Sequence, residues 1–142
     1  MAANDLRPAG VTTAFWLLVF GAALLMGGGL MAATVSVDAV RQAAPPTASD
    51  DAIRDYAMLH RGAGILFCLA AAALTGFAVR ARDGDPRFRR ATIALALAII
   101  VIVAVAAVFA GTHVLALLSL LPIIVGTLML GRPALQGWYS GE

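Results

Sequence analysis

Four apolar runs occupy most of the sequence and constrain its fold more than any other feature. They cover residues 11–37, 57–79, 91–110 and 114–130, and the fourth is the shortest. A helix rises about 1.5 Å per residue, so about 20 apolar residues cross the ~30 Å hydrocarbon core of a bilayer. The runs therefore predict an all-α integral membrane protein, in which residues 1–142 form a single transmembrane domain folded as a four-helix up-down bundle.

The composition supports a lipid environment for these runs. Apolar residues make up 61% of the chain and charged residues 13%, whereas soluble domains contain roughly 45–50% and about 25%. The first run is longer than the ~7–15 residues of a signal-peptide core, and no A-x-A cleavage site follows it. We therefore expect the first run to be a retained membrane anchor.

The arginines predict the orientation of the bundle. Five of the ten lie in the short connection of residues 80–90, at Arg80, Arg82, Arg87, Arg89 and Arg90. The positive-inside rule places this connection and both termini in the cytoplasm. The absence of lysine beside abundant alanine and glycine is typical of a GC-rich bacterial genome, so we expect the bacterial inner membrane. Because topology explains the basic excess, no nucleic-acid partner is expected.

The connections predict how the spans begin and end. Residues 38–54 are expected to form a polar loop, with Ser49 starting a helix that begins before the membrane. Asp85 is predicted to cap the third span, with Pro86 as its first helical residue. The turn at residues 111–113 is so short that the third and fourth spans must form an antiparallel hairpin. Pro122 is expected to kink the fourth span.

Three consecutive glycines, Gly27, Gly28 and Gly29, lie inside the first span. Their backbone N–H groups are already used by the helix, so they cannot cradle a phosphate. Small residues spaced four apart let helix backbones approach closely in a membrane. We therefore predict that the triplet is a helix-packing surface.

Two histidines, His60 and His113, are predicted to lie at the outer end of the second and fourth spans. The simpler interpretation is that the two histidines form hydrogen bonds at the membrane interface and cap helices. The alternative is a ligand site, because imidazole binds haem iron or copper through one nitrogen. Gly64 lies one helical turn below His60 and would leave room for the edge of a macrocycle.

Neighbouring residues could complete such a site. Met31 and Met58 fall near the same end, and thioethers suit haem iron or Cu(I). Arg61 could reach lipid headgroups or hold an anionic or quinone ligand. His60, Arg61 and Gly64 together resemble the His-Arg-x-x-Gly stretch of the cytochrome b anchor subunit of succinate dehydrogenases. That match covers three residues and falls in the second span instead of the first, so it assigns no roles.

No signature of a soluble active site occurs in the sequence: there is no phosphate-binding glycine loop, G-x-S-x-G, C-x-x-C or H-E-x-x-H. The leading hypothesis is a non-enzymatic accessory subunit that packs against lipids, other integral membrane proteins or a second copy of itself. The alternative is an electron-transfer module that binds haem b, quinone or copper near His60 and His113. A small transporter or channel fits less well, because no charged residue falls at mid-bilayer.

Overall fold

The computed structural model describes residues 6–141, and these residues form helices and no strands. The α-helices are α1 (Ala9–Ala33), α2 (Val37–Ala43), α3 (Asp50–Arg82), α4 (Pro86–Phe109), α5 (Val114–Leu130) and α6 (Gln136–Ser140), and a 3-10 helix (Pro133–Leu135) precedes α6. The predicted all-α class is confirmed.

The four long helices contact one another in a ring. Helix α1 packs along both α3 and α5, and α4 contacts α3 and α5 more sparsely. Leu18 and Leu25 of α1 are fully buried, as are Leu74 of α3 and Ile123 of α5. The core therefore lies along α1, and α4 is the least enclosed of the long helices.

Several of these helices are long and apolar enough to span a membrane. Within residues 6–141, α1, α3 and α4 each meet that test, and a fourth candidate is α5 taken together with Pro133–Ser140, which bends away from it by 63°. Large apolar side chains such as Leu69, Val101, Leu121 and Leu128 point outward. An apolar exterior of this kind suits lipid, so the chain has the character of a membrane protein.

Most arginines lie at one end of the helix bundle and the two histidines lie at the other. At the arginine end, Arg7 before α1 lies 3.6 Å from Asp83 in the α3–α4 turn, and Gly84 lies beside Trp138 of α6. At the histidine end, the Tyr56 hydroxyl of α3 donates to the Ala110 carbonyl 3.4 Å away, where α4 ends. The chain segments before α1, between α3 and α4, and after α5 thus meet at one end.

The first connection differs from its prediction. Helix α1 ends at Ala33, four residues before the predicted limit of the first span, where the Thr34 hydroxyl donates to the Leu30 carbonyl at 2.8 Å. The prediction of a polar loop over residues 38–54 is wrong for residues 38–43, because α2 forms there with Ser36 as its N-cap. Burial of Val40 against Ile53 and Ala57 explains the helix. The apolar face of α2 is buried only because α3 packs against it. The polar sequence around α2 therefore gives no sign that a helix forms there.

The helix starts predicted from capping residues are confirmed. Ser49 accepts from the Ala52 N–H at 3.2 Å and begins α3 well before the apolar run. The Asp85 carboxylate accepts from the Arg87 N–H at 2.8 Å, with Pro86 in the first turn of α4. Such side chains satisfy backbone donors that the helix leaves free.

Candidate functional site

His60 is held by the helical turn before it. Its Nδ1 lies 3.2 Å from the Tyr56 carbonyl oxygen, and its ring stacks on the Tyr56 ring with centroids 4.1 Å apart. A carbonyl oxygen can only accept, so this contact assigns the hydrogen to Nδ1 and leaves the lone pair on Nε2. Nε2 is therefore the atom that could accept a hydrogen bond or bind an ion.

His113 is the N-cap of α5. Its Nδ1 accepts from the Leu115 N–H at 3.5 Å, at the long limit for a hydrogen bond. This contact assigns the lone pair to Nδ1 and the hydrogen to Nε2. An ion bound at Nδ1 would displace the cap, and one bound at Nε2 would require the other tautomer. The local contacts of His113 are those of a capping residue.

Both histidines line one small cavity at the histidine end. The cavity has a volume of about 20 Å³, and its wall includes Gly28, Phe67 and Thr112. The Thr112 hydroxyl is buried without a partner among residues 6–141. A water needs roughly 10–15 Å³ of such space, whereas small-molecule pockets have roughly 300–1,000 Å³. The cavity between the histidines therefore suits a water-sized group and has no room for a haem or quinone ring.

The structure places Gly64 and Arg61 against α1 and its C-terminal end. A Cβ at Gly64 would collide with the Gly29 carbonyl oxygen and the Ala33 nitrogen. The expectation that Gly64 leaves room for a macrocycle edge is therefore wrong, because the backbone of α1 fills that space. The Arg61 Nε donates to the Val35 carbonyl at 2.9 Å. This bond ties α3 to the chain that follows α1.

The methionines lie apart from the histidine cavity. Met31 is 50% exposed and Met58 is 71% exposed, and neither lines the cavity. In the part of the chain that the structure describes, no group of three or more His, Cys, Asp or Glu residues could hold a metal. Binding of haem, quinone or copper by His60, His113, Met31 and Met58 stays a prediction.

The glycine triplet of α1 faces two neighbouring helices. A Cβ at Gly28 would stand 2.8 Å from the Ala116 nitrogen of α5, and one at Gly29 would stand 2.8 Å from the Gly64 carbonyl oxygen of α3. At Gly27 a Cβ would make only ordinary contact, 3.5 Å from Leu115. Gly28 and Gly29 therefore stand where helix backbones approach most closely, and Gly27 does not.

The structure has two apolar grooves that the sequence does not predict, because the walls of each groove come from two helices. The α2–α3 groove has a volume of about 490 Å³, and its lining includes Val35, Val40, Pro45, Ile53, Tyr56 and His60. The α3–α4 groove has a volume of about 300 Å³, and its lining includes Leu66, Ala70, Ala73, Leu95, Ala98 and Ile102. Neither groove could be placed without knowing which helix faces meet.

No protein-family model, no curated protein and no solved structure matches this chain.

Proposed function

We propose that the chain is a non-enzymatic accessory subunit of the bacterial inner membrane, and that it packs against another integral membrane protein. In this proposal the ring of α1, α3, α4 and α5 is an up-down four-helix bundle that crosses the membrane four times. The arginine end lies in the cytoplasm, since five arginines crowd the end of α3 and the start of α4, at Arg80, Arg82, Arg87, Arg89 and Arg90.

The α3–α4 groove is the observation that carries this proposal. It runs between two membrane-length helices, and the residues lining it are all apolar. Ala70, Ala73 and Ala98 are among the lining residues, and their small side chains leave room for a neighbouring helix to approach closely. In lipid, helices associate mainly through close packing, because tails and side chains are equally apolar. A partner helix that fills the groove gains packing contacts, whereas bulk lipid fills it with mobile tails.

The groove can be tested by photo-crosslinking in living cells. A photoreactive amino acid at Ala98 in the groove should give one discrete protein adduct, and one at Leu128 of α5 should give lipid adducts only. Leu128 is a suitable control because it is 68% exposed and lies outside the groove. Filling the groove with Ala73→Phe should abolish the Ala98 adduct. Equal adduct patterns at Ala98 and Leu128 would contradict the proposal.

A second candidate function is quinone binding in the α2–α3 groove. The groove volume of about 490 Å³ falls in the ~300–1,000 Å³ range of small-molecule sites. Its walls are apolar, and Tyr56 and His60 supply a hydroxyl and an imidazole. A short-chain quinone should bind the parent protein, and His60→Ala should weaken that binding. His113→Ala is the matched control, because His113 does not line this groove; equal effects of both changes would exclude this site.

A further inference from the structure

The chain after α5 folds back over the arginine end. It bends by 63°, and Leu135 then packs against Gly10 of α1. The Trp138 indole nitrogen lies 3.6 Å from the point where a Cβ of Gly84 would stand. Tyr139 is only 7% exposed. Helix α6 therefore covers the junction between the start of α1 and the α3–α4 turn.

Four buried hydrogen-bond donors belong to α6 or to residues at the same end of the bundle. Within residues 6–141, the Arg7 Nε, the Arg82 Nε, the Trp138 Nε1 and the Tyr139 hydroxyl are buried and have no hydrogen-bond partner. Buried polar groups are nearly always paired, since an unpaired one loses its hydrogen bonds to water without compensation. Four unpaired donors at one end of a small bundle indicate that an acceptor belongs there.

Contacts join most of these donors at the arginine end, and the Arg82 guanidinium lies 4.7 Å from the Phe15 ring centroid of α1. The Arg89 guanidinium lies 5.1 Å from the Tyr139 ring centroid, and its Nε donates to the Leu130 carbonyl at 3.0 Å. Arg7 reaches Asp83, and the adjacent Gly84 contacts Trp138. The residues Arg7, Arg82, Arg89, Trp138 and Tyr139 are called the arginine-end cluster below.

The charge of this cluster is strongly unbalanced. Arginine and tryptophan side chains can only donate, and the three guanidinium groups are always positive. The Asp83 carboxylate contacts Arg7 at 3.6 Å but is 62% exposed, and Asp85 is occupied in capping α4. Burial raises the pKa of Tyr139, although Arg89 and Arg7 oppose that rise. Its hydroxyl is therefore protonated at neutral pH and available as a donor.

We propose that the arginine-end cluster binds a phosphate group. The unprotonated oxygens of a phosphate accept hydrogen bonds and carry negative charge, so they complement half-buried arginines and the buried unpaired donors beside them. The phosphate comes either from the headgroup of an anionic phospholipid or from free phosphate. Basic pockets between helices at the cytoplasmic surface are known sites for anionic headgroups. The site is distinct from the α3–α4 groove and does not depend on the partner proposed for it, but its lipid source rests on the proposed cytoplasmic position of the arginine end.

Two measurements on the full chain distinguish the two sources. Native mass spectrometry with added phosphatidylglycerol or phosphatidylcholine tests the lipid, and melting in inorganic phosphate or in chloride of equal ionic strength tests the free ion. Retention of phosphatidylglycerol alone assigns a lipid site, and stabilisation by phosphate alone assigns an ion site. Binding of neither probe overturns the proposal.

Substitutions test the named residues. Tyr139→Phe keeps the ring and removes an unpaired hydroxyl, so it should weaken binding about tenfold, the worth of one hydrogen bond to a charged group, without lowering the melting temperature of the ligand-free protein. Arg89→Gln should weaken binding at least as much. Arg87→Gln removes the same charge from an exposed position outside the cluster and should have little effect. Equal losses in Arg87→Gln and Arg89→Gln would reduce the binding to general attraction and overturn the proposal.

Discussion

The backbones of Gly29 in α1 and Gly64 in α3 lie directly against each other. A Cβ at Gly29 would stand 2.8 Å from the Gly64 carbonyl oxygen, and a Cβ at Gly64 would collide with the Gly29 carbonyl oxygen. The two helices can approach this closely only because neither residue has a side chain. Gly62, two residues before Gly64, would have nothing within 4 Å of its Cβ.

This contrast gives a matched pair of substitutions in one helix. Gly64→Ala should lower the free energy of unfolding by about 1–3 kcal/mol, because the added methyl group forces the backbones apart. Gly62→Ala should leave stability unchanged or raise it by up to about 1 kcal/mol through helix propensity. Reversible unfolding in mixed micelles measures both. Equal effects would mean that α1 and α3 do not meet at Gly64.

The helical class was readable from the sequence, and each apolar run falls largely within one long helix. Apolar run length located the long helices, and Ser49 and Asp85 marked the starts of α3 and α4, because capping depends on residues adjacent in sequence. Helix α2 was missed because its burial depends on Ile53 and Ala57, which follow in a different helix. The first span was drawn too long because apolar character continues through Val35 and Val37 after α1 has ended.

The candidate sites were only partly predictable. Sequence placed His60 and His113 at the same end, but only the fold shows that they line one cavity too small for a haem. The sequence suggested free space beside Gly64, because a sequence does not show that α1 packs against this residue. The arginine-end cluster was missed altogether. Nothing in the local sequence around Trp138 and Tyr139 reveals that α6 folds back toward Arg7 and Arg89.

The α3–α4 turn offers a second matched pair. The Asp85 carboxylate caps α4 with a 2.8 Å bond to the Arg87 N–H, whereas Asp83 makes a 3.6 Å exposed contact with Arg7. Asp85→Ala should cost about 0.5–2 kcal/mol of stability, as loss of an N-cap does. Asp83→Ala should cost no more than about 1 kcal/mol, as an exposed ion pair does. Unfolding in micelles would contradict this account if Asp83→Ala were the more damaging change.

His113 can be tested as a cap by replacing it with another capping residue. His113→Ala should lower stability by about 0.5–2 kcal/mol, and His113→Asn should restore it, because asparagine is a strong N-cap residue. Asparagine does not replace imidazole as a haem or copper ligand. If His113→Asn were as defective as His113→Ala, capping would not be the main role of His113.

The small cavity lined by His60 and His113 leads to a prediction about haem absorption. Protein purified from haem-replete cells should show no Soret band, because a cavity of about 20 Å³ cannot enclose a macrocycle. Absorbance spectroscopy of the parent and of His60→Ala provides the check. A Soret band in the parent that disappears in His60→Ala would contradict this account and show that His60 binds haem, either in the α2–α3 groove or in a widened histidine cavity.

Four membrane crossings, with the arginine end in the cytoplasm, are the claim on which both the groove and the phosphate site depend. Single cysteines in a Cys68→Ala background can be labelled in intact cells with a membrane-impermeant thiol reagent. Exposed positions are available at Thr47 between α2 and α3, Pro86 at the start of α4 and Gln136 in α6. Thr47→Cys should label in intact cells, and Pro86→Cys and Gln136→Cys should label only after permeabilisation. The reverse pattern would invert the bundle, and labelling of Thr47→Cys and Gln136→Cys from the same side would contradict four crossings.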